Sequence, residues 1–318
     1  MNLKKLYRKR MNILFGFMSL FIIVQFIIAF ITLILQQITN NTQFYEYYIL
    51  FILPQVIYSL GNMLVMIFAV KLINMRPSQL ISSKKTGFVK GSLYIFSFMA
   101  ISLLAGILTD LFLSLLENIG IDIPAMMSQV PEPKGIPQII AMIFTIAVIP
   151  AICEEFIFRG ALIGGLKHLS PKTALIVSST AFGLLHANLE QIPFAFLVGI
   201  FLGYTYLKTE NFRLVVLMHF FNNLLSVIYL ILESRISESA YLQFDKIVTI
   251  SILVLGLLSI IILFIDNKKN KTKTIHSLEE SEAVEATVTS FSFWIFTGIF
   301  AMLTLLNTVA MQFMNYEL

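Results

Sequence analysis

Charge is scarce in this sequence. Of 318 residues only 13% are Asp, Glu, Lys or Arg, while 58% are hydrophobic. A soluble domain carries roughly 25% charged residues, so the composition excludes an ordinary water-exposed globule and indicates a polytopic membrane protein. Cysteine is nearly absent. Cys153 stands alone, so no intramolecular disulfide can form. Its position beside Glu154 invites a nucleophile reading, but a small apolar packing residue in a helix is the favoured one. An N-terminal cleavage signal is also lacking. The basic stretch from Met1 to Arg10 leads into an apolar run ending near Leu35, too long for a signal-peptide core and without a small-x-small site. It reads as a retained membrane helix. The net charge of +4 gives no indication of nucleic-acid binding, because in a membrane protein the placement of Lys and Arg outweighs their sum.

What the chain does contain is about nine apolar stretches long enough to cross a bilayer, with eight as the alternative count. They fall near 11–36, 46–74, 88–117, 137–166, 171–188, 191–208, 212–233, 244–266 and 291–314. The expected fold is an all-α, polytopic membrane helix bundle. Basic residues crowd into alternate links: Lys4, Lys5, Arg8, Lys9 and Arg10, then Lys71, Arg76, Lys84, Lys85 and Lys90. Lys167 and Lys172, Lys208 and Arg213, and finally Lys268, Lys269, Lys271 and Lys273 follow the same alternation. The opposite links hold Lys134, Arg235 and Lys246. By the positive-inside rule the N-terminus is cytoplasmic. The external link 122–137 carries Pro124, Pro131, Pro133, Gly135 and Pro137 and is expected to be a loop. Residues 266–290 run from Lys-rich to Glu-rich and read as a cytoplasmic linker, with a short helix around Glu279 to Glu285. The expected organisation is a three-helix region at 1–136, a core at 137–233 and C-terminal membrane helices at 234–318.

The core holds nearly all the polar chemistry of the spans. Glu154, Glu155 and Arg159 lie in one apolar run, His186 ends the next, and His219, Asn222 and Asn223 lie in a third. Asp110 sits near the external end of the third span. His168 and His276 fall in polar links. Ionisable groups at bilayer depth are costly and mark sites or internal pairs. Glu155 and Arg159 are four apart and share a helix face, as do His219 and Asn223. Glu154 is turned about 100° from Glu155 and has no partner on its own helix. Polar groups in hydrocarbon seek one another, so a single buried site is the economical reading.

A carboxylate beside one or two imidazoles holds and deprotonates a water. Two His and one Glu also match a catalytic zinc ligand set. A His and an Asn on one face can donate to an oxyanion. Together these parts suit amide hydrolysis. Ser178 and Ser179 are better read as helix-packing residues than as nucleophiles. Against this stand blander readings: an ion-pair clamp for Glu155–Arg159, structural hydrogen bonds for each His, and helix glue for each Asn. Gly160-x-x-x-Gly164 and Gly199-x-x-x-Gly203 are close-approach motifs without chemistry.

Glu154-Glu155-x-x-x-Arg159, Phe182-x-x-x-His186 and His219-x-x-x-Asn223 occur in this order on separate spans. This resembles the three-motif signature of the CAAX protease and bacteriocin-processing (CPBP, or Abi) family of intramembrane proteases. The flanking residues agree, with Pro150 four residues before Glu154, Phe158-Arg159-Gly160, and Ser178-Ser179 before Phe182-Gly183. The resemblance covers 137–233. It implies that Glu154 activates the attacking water with His186 helping to hold it. It further implies that His219 and Asn223 stabilise the oxyanion, and that Glu155 and Arg159 shape the site. Members are described both as metalloproteases and as glutamate proteases. A divalent metal such as zinc, held by Glu154, His186 and His219, is therefore one expectation and a metal-free water the other.

The implied partners are a membrane-associated peptide or protein substrate and the lipid bilayer, with no nucleic acid. Abundant Ile, Phe, Asn and Lys point to an AT-rich bacterium, hence to a multi-pass protein of its cell membrane. By analogy with the family, bacteriocin or pheromone processing and self-immunity are the expected settings. A non-catalytic membrane scaffold of the same fold is the alternative, and an ion-coupled transporter a weaker one for want of an internal repeat.

One geometric difficulty is visible in advance. With a rise of ~1.5 Å per residue, His186 lies roughly 20 Å from the cytoplasmic end of its span and His219 about 10 Å from its own. Convergence requires strong tilt, or a fifth segment that turns back at membrane depth in the link Asn188 to Gln191. Pro150 is expected to bend the fourth span by removing a backbone hydrogen bond.

Overall fold

The computed structural model describes residues 2–38, 45–121, 130–269 and 278–316. Pro124, Lys271, Lys273 and His276 lie outside them. The described chain is all helix, without a β-strand, and eight of its helices are long and apolar enough to cross a membrane. It is a multi-pass membrane helix bundle.

Helices α1 (Leu3–Ser19) and α2 (Phe21–Ile38) form one rod, interrupted at Leu20. Asn2 caps the start of α1 by accepting from the Lys5 amide. A π-helical entry at Tyr45–Ile52 leads into α3 (Leu53–Leu72), with Pro54 at the change of pitch, where the donor it lacks is accommodated. A four-residue turn, α4 (Pro77–Leu80), precedes α5 (Phe88–Asn118). The fourth span is continuous but alternates in pitch. Helix α6 (Ile136–Met142), a π segment Ile143–Val148, α7 (Ile149–Glu155), a second π segment Phe156–Ile163 and the short α8 (Gly164–Leu166) follow one another. Pro150 sits at the first turn of α7, just after the first π segment. The backbone bond it cannot make is thus absorbed by a change of pitch at that point.

Then come α9 (Pro171–Leu185), α10 (Ile192–Thr209), α11 (Phe212–Glu233) and α12 (Glu238–Lys269). The chain closes with α13 (Glu280–Val288) and α14 (Phe291–Tyr316). Helix α13 is the short linker helix expected from the sequence.

The difference between nine expected spans and eight long helices is α9. Its 15 residues rise only ~22 Å, short of a ~30 Å hydrocarbon core. The chain then turns through 186–191, with Ala187 in the left-handed region at φ 47°, and α10 runs back against α9. Gly199 and Gly203 allow this packing: a Cβ at Gly203 would lie 2.5 Å from Leu175 Cδ1, and one at Gly199 would lie 3.0 Å from the Phe182 ring. Gly160 does the same for α4, since its Cβ would lie 2.9 Å from the Leu80 carbonyl oxygen.

Links expected on one side of the bilayer do meet. Glu210 bonds Lys84 at 3.1 Å and approaches Lys167 at 4.0 Å. Lys90 pairs with Asp266 at 2.6 Å, and Lys4 with Glu285 at 2.5 Å. On the other side Arg235 donates to the Pro133 carbonyl. One buried apolar cluster runs from Tyr7 and Phe15 of α1 through Phe158 and Phe182 to Phe296 and Phe300 of α14. It crosses all three stretches into which the sequence was divided.

Candidate active site

The centre of the bundle is a buried ion pair. Arg159, 1% exposed, donates from Nη1 to Glu155 Oε1 at 2.8 Å, and Glu155 is fully buried. The π turn that begins at Phe156 follows the pair of carboxylates directly and carries Arg159. Arg159 Nη2 also donates to the Gly199 carbonyl of α10 at 3.0 Å. The guanidinium carbon lies 4.7 Å from the centroid of the Phe182 ring, a cation–π contact strengthened by exclusion of water. A charge this deep is tolerated because carboxylate, carbonyl and ring all face it.

Glu155 has a second partner. His219 of α11 lies with Nδ1 2.9 Å from the same Oε1. A carboxylate already paired with a guanidinium only accepts, so Nδ1 carries the hydrogen. The other ring nitrogen, Nε2, then faces Glu154 Oε2 at 3.8 Å, beyond direct hydrogen-bonding distance. Glu154 is the more accessible of the two acids, with 16% of its side chain exposed.

His186, the cap of α9, stands beside this pair. Its ring is 5.5 Å from Phe182 and nearly perpendicular to it, while Phe182 is 5.9 Å from His219 in the same manner. Phe182 therefore touches Arg159, His186 and His219 at once, and Phe158 packs on it at 5.0 Å. Glu154 and His186 open together into a cleft of about 420 Å³. Its other walls include Gln25 of α2, Gln55 and Tyr58 of α3, and Gln191. Among the described lining residues Glu154 is the only acid, and none is Lys or Arg.

The expected residues thus divide. Glu154, Glu155, Arg159, His186 and His219 come together. Asn223 shares the face of His219 but donates from Nδ2 to the Ile146 carbonyl at 3.1 Å, in the first π segment of the fourth span, and does not line the cleft. Asn222 accepts from Ser102 of α5, as helix glue does. Ser178 donates to the Phe158 carbonyl and Ser179 to the Leu175 carbonyl, both at 2.9 Å, as packing residues do. Cys153 is buried. Asp110 is exposed on α5 and lines no part of the cleft. The sequence reading missed Gln25, Gln55, Tyr58 and Gln191. The signal was present, since glutamines inside apolar runs are as costly as other unpaired polar groups there.

Among the described residues no three His, Cys, Asp or Glu side chains are grouped to hold a metal ion. Glu155 Oε1 is already engaged by Arg159 and His219, and His219 spends Nδ1 on it.

Residues 136–225 match the family model described as "Type II CAAX prenyl endopeptidase Rce1-like". The matched segment begins at α6 and ends within α11, so it contains both carboxylates, Arg159, both histidines and Asn223. The matched segment is 90 of the 318 residues, the part of the chain that holds the candidate site. No curated protein and no solved structure matches the chain.

Proposed function

We propose that this chain is an intramembrane endopeptidase that hydrolyses a peptide bond of a membrane-associated peptide or protein. The observation that carries the reading is His219 set between two acids, Nδ1 on buried Glu155 and Nε2 toward Glu154, which opens with His186 into a cleft inside an apolar bundle.

In this reading a water lies to the side of the gap between His219 Nε2 and Glu154, with His186 helping to hold it. Glu154 takes a proton as the water oxygen attacks the carbonyl carbon. His219, whose Nε2 carries no hydrogen, accepts the other hydrogen of the water and orients it, while Asn223, held on the Ile146 carbonyl outside the cleft lining, takes no part in the step. Collapse breaks the C–N bond, and the proton held by Glu154 passes to the leaving amine. Glu155 fixes the orientation of His219, and Arg159 holds Glu155 in place through the shared Oε1, the arrangement that orients imidazoles in other hydrolases. No step in this reading runs through a metal; among the described residues no three donor side chains are grouped to hold one.

The cleft supports a substrate read through its main chain. Gln25, Gln55 and Gln191 each both donate and accept, as a peptide unit does. Among the described lining residues none is Lys or Arg, and an uncharged stretch of chain suits these walls. Bacteriocin or pheromone processing in a bacterial cell membrane fits such a substrate, as does self-immunity.

The test uses protein reconstituted in bilayers with candidate peptides, and mass spectrometry of the products. Wild type is expected to cleave, and Glu154→Gln, His186→Ala and His219→Ala to fail. Cleavage surviving all three changes overturns the mechanism. A cellular phenotype that persists in all three without cleavage by wild type favours a scaffold.

A further inference from the structure

Helices α13 and α14 lie outside the matched segment, yet they hold α9 at both of its ends. At the N-terminal end, Glu280 of α13 accepts from the Ser170 hydroxyl at 2.6 Å and the Thr173 hydroxyl at 2.8 Å. It also accepts a backbone hydrogen bond from Thr173. Ser170 occupies the cap position of α9 but makes no side-chain capping bond of its own. A carboxylate from another helix thus does the capping and faces the positive end of the α9 dipole.

At the C-terminal end, the carbonyls on either side of His186 are each reached from a different helix. Tyr58 of α3 donates to the Leu185 carbonyl at 3.5 Å, and Asn307 of α14 donates to the Ala187 carbonyl at 2.9 Å. Ala187 is the left-handed residue, a conformation that costs an L-residue with a Cβ and persists only where surroundings enforce it. Asn307 is exposed on a membrane helix, where an unsatisfied carboxamide would be unfavourable, so this bond has few competitors.

We propose that α13 and α14 position His186. Glu280 and Asn307 fix a helix too short to anchor itself across the bilayer, and so set the depth at which His186 meets Glu154 and His219. Asn307 is a positioning residue, acting through the turn at Ala187 rather than on substrate. The inference about catalysis rests on the proposed endopeptidase reading, but the placement of the turn does not.

The experiment therefore has two readouts on the full chain in lipid nanodiscs. The first is amide hydrogen exchange over 183–192, which needs no substrate. Asn307→Ala is expected to raise exchange there while leaving α5 and α12 unchanged, and Asn307→Gln, which restores a donor, is expected to return it toward wild type. Glu280→Ala is expected to raise exchange over 170–176. The second is cleavage kinetics with whichever peptide wild type cleaves. Asn307→Ala should lower kcat roughly 10- to 100-fold with KM little changed, as misplacement of a reacting group does. Exchange over 183–192 that is unchanged in Asn307→Ala, or that rises equally throughout the bundle, overturns the proposal. Raised local exchange with wild-type kcat overturns its catalytic half. If wild type cleaves nothing, the endopeptidase reading falls while the exchange result still decides the clamp.

Discussion

Glu155 and His219 meet across two helices, Oε1 to Nδ1 at 2.9 Å, and that contact makes a supporting acid of one glutamate and leaves its neighbour free to act. Adjacent residues on a helix point about 100° apart. Glu155 turns inward to Arg159, His219 and full burial, while Glu154 turns to the cleft.

Removing the guanidinium should therefore cost more than removing the whole pair. Arg159→Met leaves Glu155 buried against one imidazole and is expected to destabilise the fold by about 3–5 kcal/mol. Adding Glu155→Gln to it should recover part of that loss. Thermal unfolding in detergent compares the two variants; a double variant less stable than Arg159→Met contradicts the pairing.

Glu154→Gln should behave oppositely. Its side chain reaches the cleft and makes no direct hydrogen bond to His219, so unfolding temperature should stay near wild type. Cleavage should fall by about 10²–10⁴, the usual contribution of a general base. Parallel melting curves and peptide turnover check this.

Chelation separates two chemistries. The proposed step uses no metal, and among the described residues no three donors are grouped for one, so activity is expected to survive treatment with a strong chelator followed by desalting. Loss of activity, restored by added zinc and not by magnesium, would contradict that expectation.

Acid should loosen the α9 cap. Burial raises the affinity of the Glu280 carboxyl for its proton, but hydrogen bonds from Ser170 and Thr173 and the charge of Lys172 outweigh it, so its pKa falls below the ordinary 4.5. A carboxyl depressed in the fold adds stability above its unfolded pKa and loses it as pH drops through the folded one. Wild type should therefore exceed Glu280→Gln in melting temperature at neutral pH, with the gap closing below about pH 4. A gap constant with pH excludes the ionised cap.

Gly160→Ala tests the close approach of α4. The added Cβ would lie 2.9 Å from a backbone oxygen that has no flexible end to move. A loss of about 1–3 kcal/mol is expected, as in other overpacked cores. Unfolding indistinguishable from wild type would show that α4 yields freely.

The sequence made the site legible because charge is so rare in the spans. Glu154, Glu155, Arg159, His186 and His219 stood out against apolar neighbours, and they converge. The Glu155–Arg159 pair followed from spacing alone. The double engagement of Glu155 did not, since no local rule links α7 to α11. Phe182 was visible as part of a motif but not as the ring on which three site residues meet. The glutamines of the cleft were passed over because each lies singly in its own run. The count of spans depended on one segment, α9, whose apolar length extends past the helix into the turn at His186. The difficulty over the depths of the two histidines pointed to that turn.

The hairpin of α9 and α10 has a consequence for how the chain is laid into the bilayer. Its entry near Lys167 and its exit at Glu210 lie within 4.0 Å of each other. The two helices together return the chain to the side from which it set out, whether or not α9 reaches the far face. In topological terms the pair is neutral. Reporter tags placed before and after it should register the same compartment. The segment that carries His186 can thus sit at partial depth without reversing the sidedness of any helix that follows.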